Sequence, residues 1–124
     1  MRESLLIPLA IQQAKKSPLE QKHGAVFISH RGEVLGAGFN CFTSRLDFVS
    51  SNTPRLSKHA ESSAILHIPR NRLLEGSLLV IRLRSSGTLA LSKPCRKCLG
   101  LLSRRGLTKI IYSTQEGTLS TLYL

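Results

Sequence analysis

The chain has 124 residues, 41% of them hydrophobic, with 18 Lys or Arg against 7 Asp or Glu and a formal charge of +11. That length suggests one domain, residues 1–124, able to bury a core without staples. Three cysteines, an odd number without a signal-peptide pattern, argue against a secreted disulfide framework, and no long apolar run offers a membrane span. The expected setting is therefore intracellular and cytoplasmic, with nucleus or organelle left open.

In chain order, Leu5 to Lys16 reads as an amphipathic helix with Ser4 as its cap, rather than as a transit peptide. Pro8 fits only if that helix starts late enough to put it in the first turn. Ala25 to Ile28 is a strand, His30 to Glu33 a turn, and Val34 to Phe39 a second strand diluted by Gly36 and Gly38, so the pair forms a hairpin. Cys41 to Ser57 is polar and without period, which predicts a long loop. His59 to Ile68 is a helix with Ala60, Ala64 and Ile68 on one face, ended by Pro69. Leu78 to Leu83 is a buried strand. Pro94 opens a helix that runs to about Arg105 and stops at Gly106. Lys109 to Ser113 and Thr118 to Leu124 are strands joined by the turn Gln115-Glu116-Gly117. The order α-β-β-α-β-α-β-β predicts an α/β fold, a three-layer α/β/α sandwich on a mixed sheet of about five strands. The short last turn makes the final two strands antiparallel.

Two motifs carry chemistry: His59-Ala60-Glu61, and Pro94-Cys95-Arg96-Lys97-Cys98. Cys95 and Cys98 are three apart, so at the start of a helix both sulfurs share one face. The free N–H groups of that helix start favour thiolate. His59 supplies a third donor. His59, Cys95 and Cys98 together suit Zn2+ and leave one tetrahedral corner open, the mark of a catalytic site. Glu61 need not be a ligand and is placed to move protons. The alternative is a closed Cys₃His site with Cys41 as fourth ligand, which leaves Glu61 without a role; Cys41 reads better as a small buried hydrophobe. His30 and His67 read as surface groups, and His23 as a residue at a pocket rim.

The charge is unevenly placed. Gly76 to Gln115 holds eight Lys or Arg and no acid, and Arg55, Lys58, Lys93, Arg96 and Lys97 crowd the proposed ligands. Such a field concentrates anions.

From His23 to Ser113 the chain resembles the cytidine deaminase superfamily, in the branch that includes deoxycytidylate, tRNA adenosine and polynucleotide cytidine deaminases. The resemblance rests on His23-Gly24-Ala25-Val26, Gly38-Phe39-Asn40, the paired H-x-E and P-C-x-x-C motifs that mark zinc nucleobase deaminases, and Gly106 to Ser113. It implies that His59, Cys95 and Cys98 hold zinc and that Glu61 shuttles protons. It also implies that Asn40 bonds the sugar or base and that the Ala60 N–H contacts the base edge. Members often form dimers or tetramers, so a homo-oligomer is open, though no interface is legible. Free cytidine deaminases usually carry Cys where His59 stands, and Asn-x-Glu where this chain has Asn40-Cys41-Phe42. The closing hairpin after Ser113, in contrast, resembles the free-nucleoside and toxin-type members.

The resulting expectation is a zinc-dependent hydrolytic deaminase that converts cytosine to uracil in a phosphate-bearing substrate, with nucleic acid slightly favoured by the charge. Substrate contacts are expected from Asn40, Ala60, His23 and Lys93. Three alternatives remain: a free (deoxy)cytidine or deoxycytidylate deaminase, an adenosine deaminase acting on tRNA, and a non-enzymatic zinc-stabilised nucleic-acid-binding module.

Overall fold

Two strands without polar alternation form the middle of the sheet: β1 (Lys22–Ile28) and β5 (Ser77–Leu83), paired antiparallel with Ala25 opposite Val80. Strands of this kind need cover on both faces. The computed structural model, which describes residues 3–42 and 57–124, supplies it. Val26, Ile28, Leu79, Ile81 and Ile111 face α1 (Glu3–Lys15), which contributes Leu6, Ala10 and Ala14. Ala25, Phe27, Leu78, Val80 and Ile110 face the opposite layer. That layer contains α2 (Ala60–Ile65), α3 (Arg70–Leu73) and α4 (Arg96–Arg105). Each fully buried Leu or Ile is worth about 1.5–3 kcal/mol, so these two clusters drive the layering.

The remaining strands are β2 (Val34–Phe39), β3 (Cys41–Phe42), β4 (Ser57–Lys58), β6 (Leu89–Ala90), β7 (Lys109–Ser113) and β8 (Leu119–Tyr123). The main sheet runs β2-β1-β5-β7-β8, with β6 added to the end of β5. The β5–β7 pair is parallel, crossing over through α4, and β7–β8 is antiparallel. A separate small ladder joins β3 to β4.

The α/β class, the three layers and the antiparallel last pair agree with the sequence reading. Several details do not, among them the last helix, which begins at Arg96 with Cys95 as its cap rather than at Pro94. The sheet has six strands, because the two-residue β6 gives no sequence signal of its own. The first helix begins at Glu3, so Ser4 lies inside it and Pro8 sits beyond the first turn. Pro8 is on the exposed side, and its ring forfeits only the bond to the Ser4 carbonyl. The helix expected over His59 to Ile68 stops at Ile65, and Pro69 caps a further helix, α3, instead of ending one. β1 starts at Lys22, three residues before the apolar run, because Lys22, His23 and Gly24 pair with Leu83, Arg82 and Ile81. The loop expected over Cys41 to Ser57 contributes only its ends, to the β3–β4 ladder; residues 43–56 lie outside the described residues.

Candidate active site

A pocket of about 350 Å³ opens at the carboxyl end of β5, where α/β sheets place their ligands. One wall is Leu19, Gln21, His23 and Asn40, the floor is His59, Ala60 and Glu61, and the other wall is Ser92 to Cys95 with Cys98.

The floor is set by how closely α2 lies on β2. A Cβ on Gly38 would stand 2.6 Å from Ser63 Cβ and 2.7 Å from the Ala64 nitrogen, so only glycine admits the helix there. His59 is the N-cap of α2, which puts its exposed imidazole at the pocket edge. Glu61 follows in the first turn and is buried, 7% exposed. Burial raises its pKa first and foremost, against the smaller opposing pull of its own backbone N–H and of His59.

The far wall depends on a buried pair of serines. Ser92 donates to the Val80 carbonyl (2.8 Å) and accepts from the Ser113 N–H (2.9 Å). Ser113 donates to the Ala90 carbonyl (2.5 Å) and accepts from the Arg82 N–H (3.2 Å). This network fixes the chain just before Lys93 and Pro94. Cys95 then caps α4, its sulfur accepting the Cys98 N–H at 3.4 Å. That N–H, followed by the Cys98 thiol, lowers the Cys95 pKa; desolvation, then the Cys95 neighbour, pushes Cys98 up to about 11. Arg105 donates to the Ile65 carbonyl (3.3 Å), tying the far ends of α2 and α4 together, and Arg70 of α3 donates to the Arg104 carbonyl (2.7 Å). Across the floor, Cys98 Sγ stands 3.5 Å from His59 Nδ1.

The eight residues expected to hold metal, move protons or touch substrate all line one pocket: His23, Asn40, His59, Ala60, Glu61, Lys93, Cys95 and Cys98. Lys93 is exposed on the rim, with Nζ 6.0 Å from the Tyr112 ring centroid. Cys41 is half-buried in β3 and does not line the pocket. His67 is exposed; His30, also exposed, pairs with Glu75 at 3.4 Å. The sequence reading missed Leu19 and Gln21, which lie in an irregular connection with no motif, and the brace formed by Ser17 behind Asn40.

The model of the cytidine and deoxycytidylate deaminase zinc-binding region matches residues 2–114. The chain belongs to this deaminase family. It is similar to a deoxycytidylate deaminase of Mycobacterium phage D29, 28% identical over 92% of this chain and 95% of that one. Its fold is similar to that of a cytidine deaminase from Burkholderia pseudomallei (TM-score 0.71, 19% identity, 99% and 93% of the two chains). It is also similar to that of a dCMP deaminase from the cyanophage S-TIM5 (TM-score 0.55, 19% identity, 92% and 86%).

Membership makes the chain a hydrolytic deaminase acting on cytosine in a nucleoside or nucleotide, with Zn2+ as cofactor. The donors present suit that ion. Two ligands at roughly 2.3 Å (sulfur) and 2.0–2.1 Å (nitrogen) on a tetrahedral centre stand about 3.5 Å apart, which is the separation of Cys98 Sγ and His59 Nδ1. Cys95 rests on the Cys98 N–H, and among the described residues no three His, Cys, Asp or Glu side chains are yet drawn together at metal-holding distances. No helix among the described residues is long and apolar enough to cross a membrane.

Proposed function

We propose that residues 1–124 form one deaminase domain that converts the cytosine of a phosphate-bearing nucleotide, deoxycytidylate being the simplest, to uracil with release of ammonia. The observation that supports it best is a buried carboxyl, Glu61, two residues from His59, whose ring faces Cys98 at ligand spacing. His59, Cys95 and Cys98 would hold the zinc. The bound ion supplies Lewis acidity that makes hydroxide available near neutral pH.

Glu61 does the proton work. Its raised pKa brings the carboxyl nearer the working pH, where one group can both accept and return a proton efficiently. It takes a proton from the attacking water and passes it to the ring nitrogen, then helps the amino group leave as ammonia. The Ala60 N–H, in the first turn of α2, has no intrahelical partner and can meet the base edge. Lys93, exposed on the rim within a stretch free of acidic residues, is the cation for a phosphate.

The D29 relative, matched nearly end to end, supports the mononucleotide. A nucleic-acid substrate is the second reading, favoured by the charge of +11. Incubating the zinc-loaded protein with deoxycytidylate, cytidine, single-stranded DNA and tRNA, then weighing the products, separates the readings. Uracil in deoxycytidylate but not in the polymers is expected. Uracil only in an oligonucleotide, with binding that weakens steeply as salt rises, would favour the second. Hypoxanthine in tRNA would show an adenosine deaminase, and no product at all would remove the enzymatic reading.

A further inference from the structure

The main sheet has two open edges, and they are not alike. The pairing of β2 with β1 shifts register between Phe27 and Ile28, and β2 contains Gly36 and Gly38. β8 pairs with β7 without a break, from Leu119 opposite Ser113 to Tyr123 opposite Lys109, and among the described residues no strand lies beyond it. Backbone bonds at its two ends settle which of its groups face outward. The Thr114 N–H donates to the Thr118 carbonyl (2.8 Å), and the Leu124 N–H to the Thr108 carbonyl (2.9 Å). Antiparallel ladders alternate, so Ser120 and Leu122 also spend their N–H and C=O groups on β7. Leu119, Thr121 and Tyr123 turn theirs to the open edge.

Proteins guard such edges with lysines, prolines or bulges. β8 has none of these. All 18 Lys and Arg of the chain lie before Ile110, and Glu116, in the turn ahead of the strand, is the one charged side chain after Lys109. Two molecules that each carry +11 repel one another over most of their surface, and this strip lets them meet without opposing cations. Its side chains favour contact as well. Leu119 packs on the α1 face of the sheet, and strand alternation puts Thr121 and Tyr123 on that same face. There α1 lies over β1, β2 and β5, and Tyr123 is left 74% exposed.

We propose that β8 is a self-association edge, pairing antiparallel with β8 of a second copy about a two-fold axis at Thr121. The register follows from the strand itself. With Thr121 opposite its own counterpart, Leu119 of each copy lies opposite Tyr123 of the other. Every outward N–H then meets an outward C=O, and the two sheets join into one. A slip of one residue would set these groups against ones already spent on β7, and a slip of two would leave an end unpaired. Thr beside Thr is a favourable cross-strand pair, and Tyr123 gains apolar cover from Leu119. A five-residue edge is short, so the dimer belongs to the transient size class, below about 1,200 Å² of buried surface. The pocket lies at the end of β5, two strands away, so the inference stands apart from the deaminase reading.

Light scattering over a range of protein concentration is the test. The wild type is expected to rise from the mass of one chain toward twice that mass, and to do so at lower concentration in high salt, because salt screens the like charges. Thr121→Pro removes one outward N–H and leaves the β7 ladder whole, a change that an edge strand tolerates. It is expected to keep the mass of one chain throughout. Thr121→Lys keeps the backbone intact, sets two cations on the axis and is expected to do the same. Thermal unfolding shows whether each variant is folded, and should the proline variant not fold, the lysine variant decides alone. Mixing two single variants, Ser120→Cys and Leu122→Cys, reads the register. Facing residues of a non-bonded pair stand about 4.5 Å apart between Cα atoms, within disulfide reach. Mild oxidation of the mixture is expected to link position 120 of one copy to position 122 of the other, as read by peptide mass mapping. A wild type with the mass of one chain at every concentration and salt would overturn the proposal. So would a dimer that survives the Thr121 changes, or a mixture that lacks that link.

Discussion

Cys98 Sγ and His59 Nδ1 lie 3.5 Å apart although 39 positions separate them in the chain. Nothing local links them; the packing of α2 and α4 on one face of the sheet does. Cys98→Ser, Cys95→Ser and His59→Ala are each expected to drop the purified protein from about one zinc per chain to a small fraction of that. Cys41→Ser, outside the pocket, is expected to keep the metal. Elemental analysis of the variants reads this directly, and a Cys41→Ser protein without zinc would restore the closed four-ligand site. Chelation should also lower Tm, since an ion that binds only the folded state stabilises it by mass action.

The seat of α2 on β2 gives a stability prediction with an internal control. Gly38→Ala puts a Cβ against Ser63 and Ala64 and forces the helix outward, at roughly 1–3 kcal/mol. Because α2 carries His59 and Glu61, activity should fall with it. Gly100 lies within α4 with open space around its Cα. Gly100→Ala should therefore stabilise by about 0.5–1 kcal/mol. Denaturant midpoints of the two variants should move in opposite directions.

The Ser92 and Ser113 hydroxyls lie side by side, 2.8 Å apart, and between them hold four backbone groups in a buried place. Removing either hydroxyl strands buried partners, at about 1–3 kcal/mol. Removing both is expected to cost less than the two single losses added, because the two hydroxyls are in direct contact at 2.8 Å. Urea unfolding of Ser92→Ala, Ser113→Ala and the double variant measures the coupling.

His23 makes stability depend on pH in a known direction. Its folded pKa is lowered, by burial first and then by Arg82 and His59, so the unfolded chain binds the proton more readily. Its contribution is intact above the unfolded histidine pKa of about 6.5 and is lost progressively as pH falls from there through the lower folded value. The loss of stability on acidification should be smaller in His23→Gln than in the wild type. The difference between the two denaturant midpoints, followed across pH, reports the contribution of His23.

Much of this pocket was legible because the residues proposed as metal donors and proton carrier are packed into two short motifs, His59-Ala60-Glu61 and Pro94 to Cys98, each at a helix start. The central strands were legible because their apolar runs need cover on both faces. What escaped the sequence depended on partners far along the chain. The start of β1 at Lys22 is set by pairing with β5, and that pairing puts His23 on the pocket face. The end of α2 at Ile65 and the start of α3 after Pro69 reflect burial of Ile68 and Leu73, which one continuous helix would not place together. Pro8 is tolerated because Leu6, Ala10 and Ala14 anchor α1 from the other side. The hydrogen bonds that hold Asn40 in the pocket wall, to His23 and Gln21, also lay outside what the sequence shows.

Glu61→Gln is the sharpest experiment, because it removes a proton carrier while preserving shape. The variant should fold, retain about one zinc per chain, and lose turnover of deoxycytidylate by about 10²–10⁴-fold. Turnover near the wild-type rate, or loss of the metal together with activity, would contradict the assignment of Glu61 as the proton carrier beside a three-ligand zinc site.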